Sequence, residues 1–247
     1  MASFSNGRTA KIKKIDRDDQ RKVNKNFFII AIDGPAGSGK STTAKLVAKE
    51  LGFAFLDSGA MYRTIALAVL QRGVGFDNSD EIIKILFDSK LDFMFEPGRL
   101  AILLDGEDIT DRIRTPEVNQ VVPIVAAIPE IRHQMVPIQR KIGHGMNVVA
   151  EGRDIGTVVF PQADLKIFLT ASIDARTQRR FLELKNRNHD VSLAEIKQEI
   201  ELRDLKDTQR EFSPLIKAAD AIELDTSNLT IIEQVNFIVQ KVRERIP

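Results

Sequence analysis

Short apolar runs alternate along the chain with longer amphipathic stretches. "FFIIAI" (Phe27–Ile32) is uniformly apolar and ends in Asp33-Gly34, which predicts a strand buried on both faces. From Lys40 to Leu51 apolar residues recur at Ala44, Leu46, Val47 and Leu51, and Gly52 stops the helix they predict. "FAFL" (Phe53–Leu56) reads as a second strand and Gly59–Gln71 as a helix. Ser79 opens a third helix, with Glu81 in its first turn and Ile82, Ile83, Ile85 and Leu86 inside.

The period then changes. Leu91–Phe95, the turn Glu96–Arg99 and Leu100–Asp105 predict strand, turn and strand, and Gly106 turns the chain again before Glu107–Ile109. This is a small antiparallel insert in a βα chain. Helical spacing returns over Thr115–Ile142, interrupted near Pro123 and Pro129. Asn147–Gly152 and Leu165–Thr170 are two more buried strands. Two charged helices follow, about 173–187 and 192–206, joined by the polar turn "NHD". Ala221–Leu224 is a last short strand and Leu229–Arg243 a final helix. Five parallel strands alternating with helices predict an α/β fold, an open, doubly wound sheet. In such sheets ligands sit beyond the carboxyl ends of the strands. Here those ends are Asp33-Gly34, Asp57-Ser58, Glu151–Asp154, Thr170–Ser172 and Asp225–Ser227.

Composition narrows the chemistry. The 247 residues are 43% hydrophobic, enough for one large α/β core, with no apolar run long enough to span a membrane. There is no cysteine, so thiol and disulfide chemistry are excluded, and His133, His144 and His189 lack ligand spacing. Residues 1–25 hold eight Lys/Arg against three Asp, so +5 of charge sits there and −4 on the rest of a chain that is +1 in total. That segment lacks an apolar h-region and reads as a basic, solvated tail, with a weak polyanion anchor as the alternative. The balance of the chain implies no nucleic-acid partner.

The first strand end carries the sharpest motif. Gly34-x-x-x-x-Gly39-Lys40-Ser41 has the spacing of a phosphate-binding P-loop. Its glycines let backbone N–H groups approach phosphate oxygens, and the helix start adds a positive dipole end. Lys40 supplies a charge for the β/γ-phosphates and the Ser41 hydroxyl a ligand for Mg²⁺. A GTPase would need a downstream Asn-Lys-x-Asp segment, and there is none. Glu151 follows an apolar strand, as in an ATPase, but Gly152-Arg153-Asp154 comes next and suggests a ligand-binding turn. A small-molecule kinase fits better.

Arginines crowd the strand ends and the late helices: Arg63, Arg132, Arg153, then Arg176, Arg179 and Arg180, then Arg203 and Arg210 around Asp207. Singly each could be a solvated charge or an intrahelical ion pair. Together they suit a reaction between two polyanions, because guanidinium forks grip phosphate at two points. A phosphate monoester is largely dianionic at neutral pH, so an acceptor phosphate needs no general base.

The motifs "IAIDGPAGSGKST", "LDSGAMYR", "GEDITDRIRTPEV", "EGRDIGTVVFPQADLKIFLTAS" and "RD…KD…R…PL" together resemble bacterial cytidylate kinases over about residues 27–245. The resemblance implies a P-loop kinase with a basic tail (1–25) and a kinase domain (26–247). It also implies a monophosphate-binding insert at about 58–125 and a helical lid at about 176–210. The implied reaction is phosphoryl transfer from ATP to CMP or dCMP, with Mg²⁺, in a cytoplasmic monomer. Gly34, Pro35, Ala36, Gly37, Ser38, Gly39, Lys40, Ser41 and Thr42 would hold the donor, with Ser41 on the metal. Ser58, Arg63, Arg153 and Arg210 would surround the acceptor, Arg132 and Asp154 would read the cytosine edge, and Asp207 with Arg203 would meet the ribose. Lys40, Arg153, Arg176, Arg180 and Arg210 would act on the transferring group. Asp154 has a second reading, as a turn-capping residue, and Tyr62 is either an acceptor-site wall or a packing residue. One departure stands out: Pro123 occupies the position where the family commonly has a cytosine-reading serine.

Overall fold

The computed structural model describes residues 27–96, 99–186 and 191–246. The basic tail, Pro97-Gly98 of the "EPGR" turn and the "NHD" turn lie outside the described residues. The elements run β1 (Ile29–Asp33), α1 (Lys40–Leu51), β2 (Ala54–Asp57), α2 (Ser58–Arg72), α3 (Ser79–Asp88), β3 (Leu91–Glu96), β4 (Arg99–Leu104) and β5 (Glu107–Asp108). They continue with α4 (Pro116–Val125), α5 (Pro129–Gly143), β6 (Val148–Gly152), β7 (Leu165–Thr170), α6 (Ile173–Lys185), α7 (Leu193–Gln209), β8 (Ile222–Asp225) and α8 (Ile231–Arg243).

The main sheet is five-stranded in the order β2-β6-β1-β7-β8, the doubly wound parallel arrangement expected from the alternation of strands and helices. β3, β4 and β5 form the antiparallel insert, with Leu91 opposite Leu104 and Leu104 opposite Glu107. All five residues of β1 are buried because β6 and β7 flank it, which is why the strand is apolar throughout. Asp33, its last residue, pairs with Gly152 of β6 and Phe168 of β7. The P-loop and the Gly152–Asp154 turn therefore leave the sheet side by side.

Two compact units can be distinguished. In the one comprising Ile29–Phe53 and Val148–Pro247, α1 buries Ala44, Val47 and Ala48, and Thr43 Oγ1 donates to the buried Gln234 Oε1 of α8 at 2.7 Å. In the same unit Leu184, Ile196 and Ile200 join α6 to α7, with Ile173, Phe181 and Val191 packed on them. In the unit containing Ala54–Asn147, α2 is buried on most of its surface, from Met61 and Ile65 to Val69.

The helical stretch over 115–142 is two helices, and Pro123 is not where it breaks. Pro123 lies inside α4, which ends at Val125, and Pro129 starts α5 in the first turn, where its missing N–H costs nothing. The N-cap of α3 is Asn78 rather than Ser79, its Oδ1 accepting the Glu81 N–H at 3.2 Å. A π-helical turn at Ile155–Val159 has no counterpart in the hydrophobic pattern. Among the described residues no helix is long and apolar enough to cross a membrane.

Candidate active site

The P-loop follows β1 with the backbone the motif requires. A Cβ at Gly34 would lie 2.2 Å from the Leu169 carbonyl oxygen, so no larger residue fits. Gly39 caps α1 at φ 90°, in the left-handed region that glycine tolerates. Lys40 is 6% exposed and its Nζ donates to the Pro35 carbonyl at 3.0 Å, closing the loop on itself. Burial, then the charge of Arg153, pull the Lys40 ammonium down to about 7. Ser38 is fully buried in mid-loop and its Oγ has no hydrogen-bond partner among the described residues. Ser41 Oγ donates to Glu151 Oε1 at 2.7 Å. A hydroxyl beside a carboxylate is a hard-oxygen pair that fits Mg²⁺, which takes few protein ligands and completes its shell with phosphate and water.

The neighbouring turn is built on Asp33. Its Oδ1 accepts the Ile155 N–H at 2.8 Å and its Oδ2 the Gly156 N–H at 2.7 Å. Burial pushes the Asp33 carboxyl up to about 6, opposed by those two hydrogen bonds. Asp154 occupies the capping position of the π-helical turn, but its side chain does not cap it. Asp33 does that work across the sheet, so the turn-capping reading of Asp154 is not what the structure shows. Asp154 is 4% exposed beside Arg153.

Arg153 reaches α7, its Nε donating to Asp207 Oδ2 at 2.7 Å. Burial acts to lower the Arg153 guanidinium, but the Asp207 charge and hydrogen bond outweigh it and hold it above its ordinary value. Burial likewise acts to raise Asp207, and Arg153 and Arg203 outweigh it and hold the carboxyl below the usual range. Arg210 Nη1 lies 3.9 Å from Asp207 Oδ1. Asp207 is thus held from three sides, and its closest partner, Arg153, lies 54 residues away in sequence.

On α6, Arg176 and Arg179 turn to the P-loop while Arg180 does not. Arg176 Nη1 donates to the Ala36 carbonyl at 3.1 Å and also pairs with Asp204. Arg179 Nη1 lies 3.4 Å from the Ser38 carbonyl and 3.1 Å from Thr226 Oγ1. Arg180 Nη1 meets Glu183 Oε2 at 3.0 Å, one helical turn along.

In the other unit Asp57 ends β2 and organises the acceptor-type residues. Its Oδ1 accepts the Ala60 N–H at 2.8 Å and caps α2, whose first residue, Ser58, is 4% exposed. Its Oδ2 receives Arg63 Nη2 at 2.7 Å and Arg114 Nη2 at 2.9 Å. Arg132 is buried, donates from Nη1 to the Ala126 carbonyl at 3.1 Å and lies over the Tyr62 ring at 5.2 Å. Tyr62 is buried and packs against Arg132, as its packing reading expects.

The sequence marks Asp33 and Asp57 as strand ends where ligands should sit, but gives neither the bracing role seen here. Arg114 and Asp204 were not among the expected site residues. They carry no such signal, since Asp57 lies 57 residues from Arg114, and Asp204 lies 28 from Arg176 and 168 from Ala36.

The sequence model of the family described as "Cytidylate kinase" matches residues 30–244. A cytidylate kinase from Caldicellulosiruptor saccharolyticus is 46% identical over 91% of this chain and 95% of its own length. One from Lactobacillus gasseri is 44% identical over 90% of this chain and 98% of its own. A third, from Desulfitobacterium hafniense, is 46% identical over 88% and 93%.

Proposed function

The chain belongs to the cytidylate kinase family, and from that premise we propose how its residues divide the transfer of a phosphoryl group from ATP to CMP. The observation that carries the proposal is the double hydrogen bond of Asp33 to Ile155 and Gly156. It ties the strand that feeds the P-loop to the turn that bears Arg153 and Asp154. Donor-binding and acceptor-binding backbone are thereby fixed to one another within a single unit.

The amides of Gly34–Thr42 hold the donor phosphates, and Lys40 neutralises charge on the β- and γ-groups. Burial destabilises its ammonium, and donor phosphates favour the charged form. Mg²⁺, held by Ser41 with Glu151 beside it, would supply further neutralisation between the donor phosphates. Arg153, Arg176 and Arg210 spread charge over the transferring group, and Arg180 joins them by leaving Glu183. To the acceptor we assign Ser58, Arg63, Arg153 and Arg210, with Arg132 and Asp154 on cytosine and Arg203 and Asp207 on the ribose. A carboxylate suits the N4 amine, which donates, where uracil offers an oxygen. The acceptor phosphate is itself the nucleophile, so alignment and charge carry the reaction.

We further propose dCMP as an acceptor, a monomeric enzyme and action in the cytoplasm. Pro123 favours a second reading, a broader pyrimidine monophosphate kinase, because it removes a hydroxyl from the base-reading set. ADP release measured over CMP, dCMP, UMP and AMP separates the readings. CMP and dCMP should drive turnover well above the others. ADP release independent of any acceptor would remove the kinase reading.

A further inference from the structure

Arg176, one of the arginines assigned to phosphate, pairs with a carboxylate that also touches the P-loop. Asp204 of α7 lies against the P-loop. Its Oδ1 accepts the Ala36 N–H at 3.2 Å, and its Oδ2 pairs with Arg176 Nη1. The same Nη1 donates to the Ala36 carbonyl at 3.1 Å, so carboxylate, loop and guanidinium form one closed set of bonds. A loop amide and a guanidinium are the donors that a terminal phosphate takes. The Asp204 side chain is 21% exposed and that of Arg176 10%, so the contact is largely shielded from water.

Charge points the same way. Lys40, Arg153, Arg176, Arg179 and Arg203 all approach this region, and Asp204 is one of the carboxylates whose charge acts on Arg153. Glu151 and Asp207 already balance part of that charge, and Asp204 adds a carboxylate that takes a loop amide itself. Asp204 supplies a planar pair of oxygens at the mouth of the loop. A phosphate offers three oxygens and more charge, so it outcompetes the carboxylate for the same donors. Arg176 and Asp204 sit on helices joined by Leu184, Ile196 and Ile200, so the carboxylate is presented by a packed pair rather than by a loose segment.

We propose that Asp204 is an intramolecular stand-in for a donor phosphate, which ATP must displace to bind. The proposal rests on the P-loop being the donor site. Asp204 then sets donor affinity: it lowers it, and it keeps Arg176 on the loop between turnovers. A residue that merely positioned Arg176 for the donor would have the opposite effect when neutralised.

The test is calorimetric titration of the full chain with ATP, with inorganic tripolyphosphate and with CMP. The proteins compared are the wild type, Asp204→Asn and the charge-matched Glu201→Gln on the exposed face of α7. Asp204→Asn should bind ATP and tripolyphosphate about tenfold more tightly, equivalent to about 1.4 kcal/mol. CMP affinity should stay within about twofold, and Glu201→Gln should match the wild type for all three ligands. The KM for ATP should fall in Asp204→Asn while kcat does not rise with it. Unchanged or weaker ATP and tripolyphosphate binding would overturn the proposal, as would equal tightening for CMP or in Glu201→Gln. Asp204→Ala, with its ligand-free melting curve, repeats the test should the asparagine fold poorly. A wild type that bound neither ATP nor tripolyphosphate would remove the donor reading itself, whereas wild-type binding without tightening in the variants would remove only the role of Asp204.

Discussion

Asp57 and Asp204 are both aspartates that hold arginines, and they differ in what their second oxygen does. At Asp57 one oxygen binds Arg63 and Arg114 while the other caps α2 through the Ala60 N–H. At Asp204 one oxygen binds Arg176 while the other takes a P-loop amide that a ligand also needs. The first carboxylate cannot leave without uncapping a helix. The second can leave on the proposal above, because a phosphate can take its place at both of its donors. The same ion-pair chemistry thus makes a fixed bracket in one unit and a displaceable one in the other.

The largest effect should come from removing a charge that no carboxylate can replace. Lys40→Ala is expected to lower kcat by about 10²–10³-fold, the size typical of losing one preorganised charge-stabilising donor, while CMP still binds. Near-normal turnover would put the donor charge elsewhere. Next in size is the contrast between the two aspartates in thermal unfolding. Asp57→Ala loses a helix cap and strands two guanidiniums, a cost of about 3–5 kcal/mol, so its melting temperature should drop by roughly 10 °C. Asp204→Ala should change it by less than about 2 °C. Equal losses would erase the distinction between fixed and displaceable.

These contrasts separate what the sequence reveals from what it hides. α1 is legible because its apolar spacing ends at Gly52, and the P-loop because its task dictates its glycines. The buried strands are legible because parallel sheets need apolar runs. The break between α4 and α5 is only half legible: proline marks it, but Pro123 is absorbed inside a helix and the chain turns after Val125. The π-helical turn leaves no mark in the hydrophobic pattern, and the Asp33 bracket that braces it is illegible, since its bonds join residues 122 and 123 apart. Asp204 is hidden for the same reason, with its loop partner 168 residues away. The spacing of Asp207 with Arg203 and Arg210 shows a shared helix face, its ribose role is an expectation from the family resemblance, and its pairing with Arg153 carries no sequence signal.

That partner sharpens a smaller prediction. Asp207→Ala should reduce kcat/KM for both CMP and dCMP, because Arg153 loses its hold. The loss should be about tenfold greater for CMP, whose 2′-hydroxyl loses a charged acceptor. Equal loss in steady-state assays would confine Asp207 to holding Arg153.

The smallest effect is a proton count. Burial holds Lys40 down to about 7, so much of it is neutral at slightly alkaline pH. Donor phosphates favour the charged form and raise its pKa, so binding ATP at about pH 8 should take up protons, at most one per site. Calorimetry in buffers of different ionisation enthalpy reads this directly. Lys40→Met should abolish the uptake, and an unchanged uptake in that variant would assign it to another group.

The central claim is that this chain carries the γ-phosphoryl group of ATP to CMP, with Arg132 and Asp154 selecting cytosine even though Pro123 brings no hydroxyl. It is tested most directly by giving the enzyme γ-labelled ATP with equal amounts of CMP and UMP and separating the products. The label should appear in CDP over UDP by about ten- to a hundredfold, the cost of setting a uracil oxygen against a buried carboxylate. Label divided equally between CDP and UDP, or released as inorganic phosphate, would contradict it.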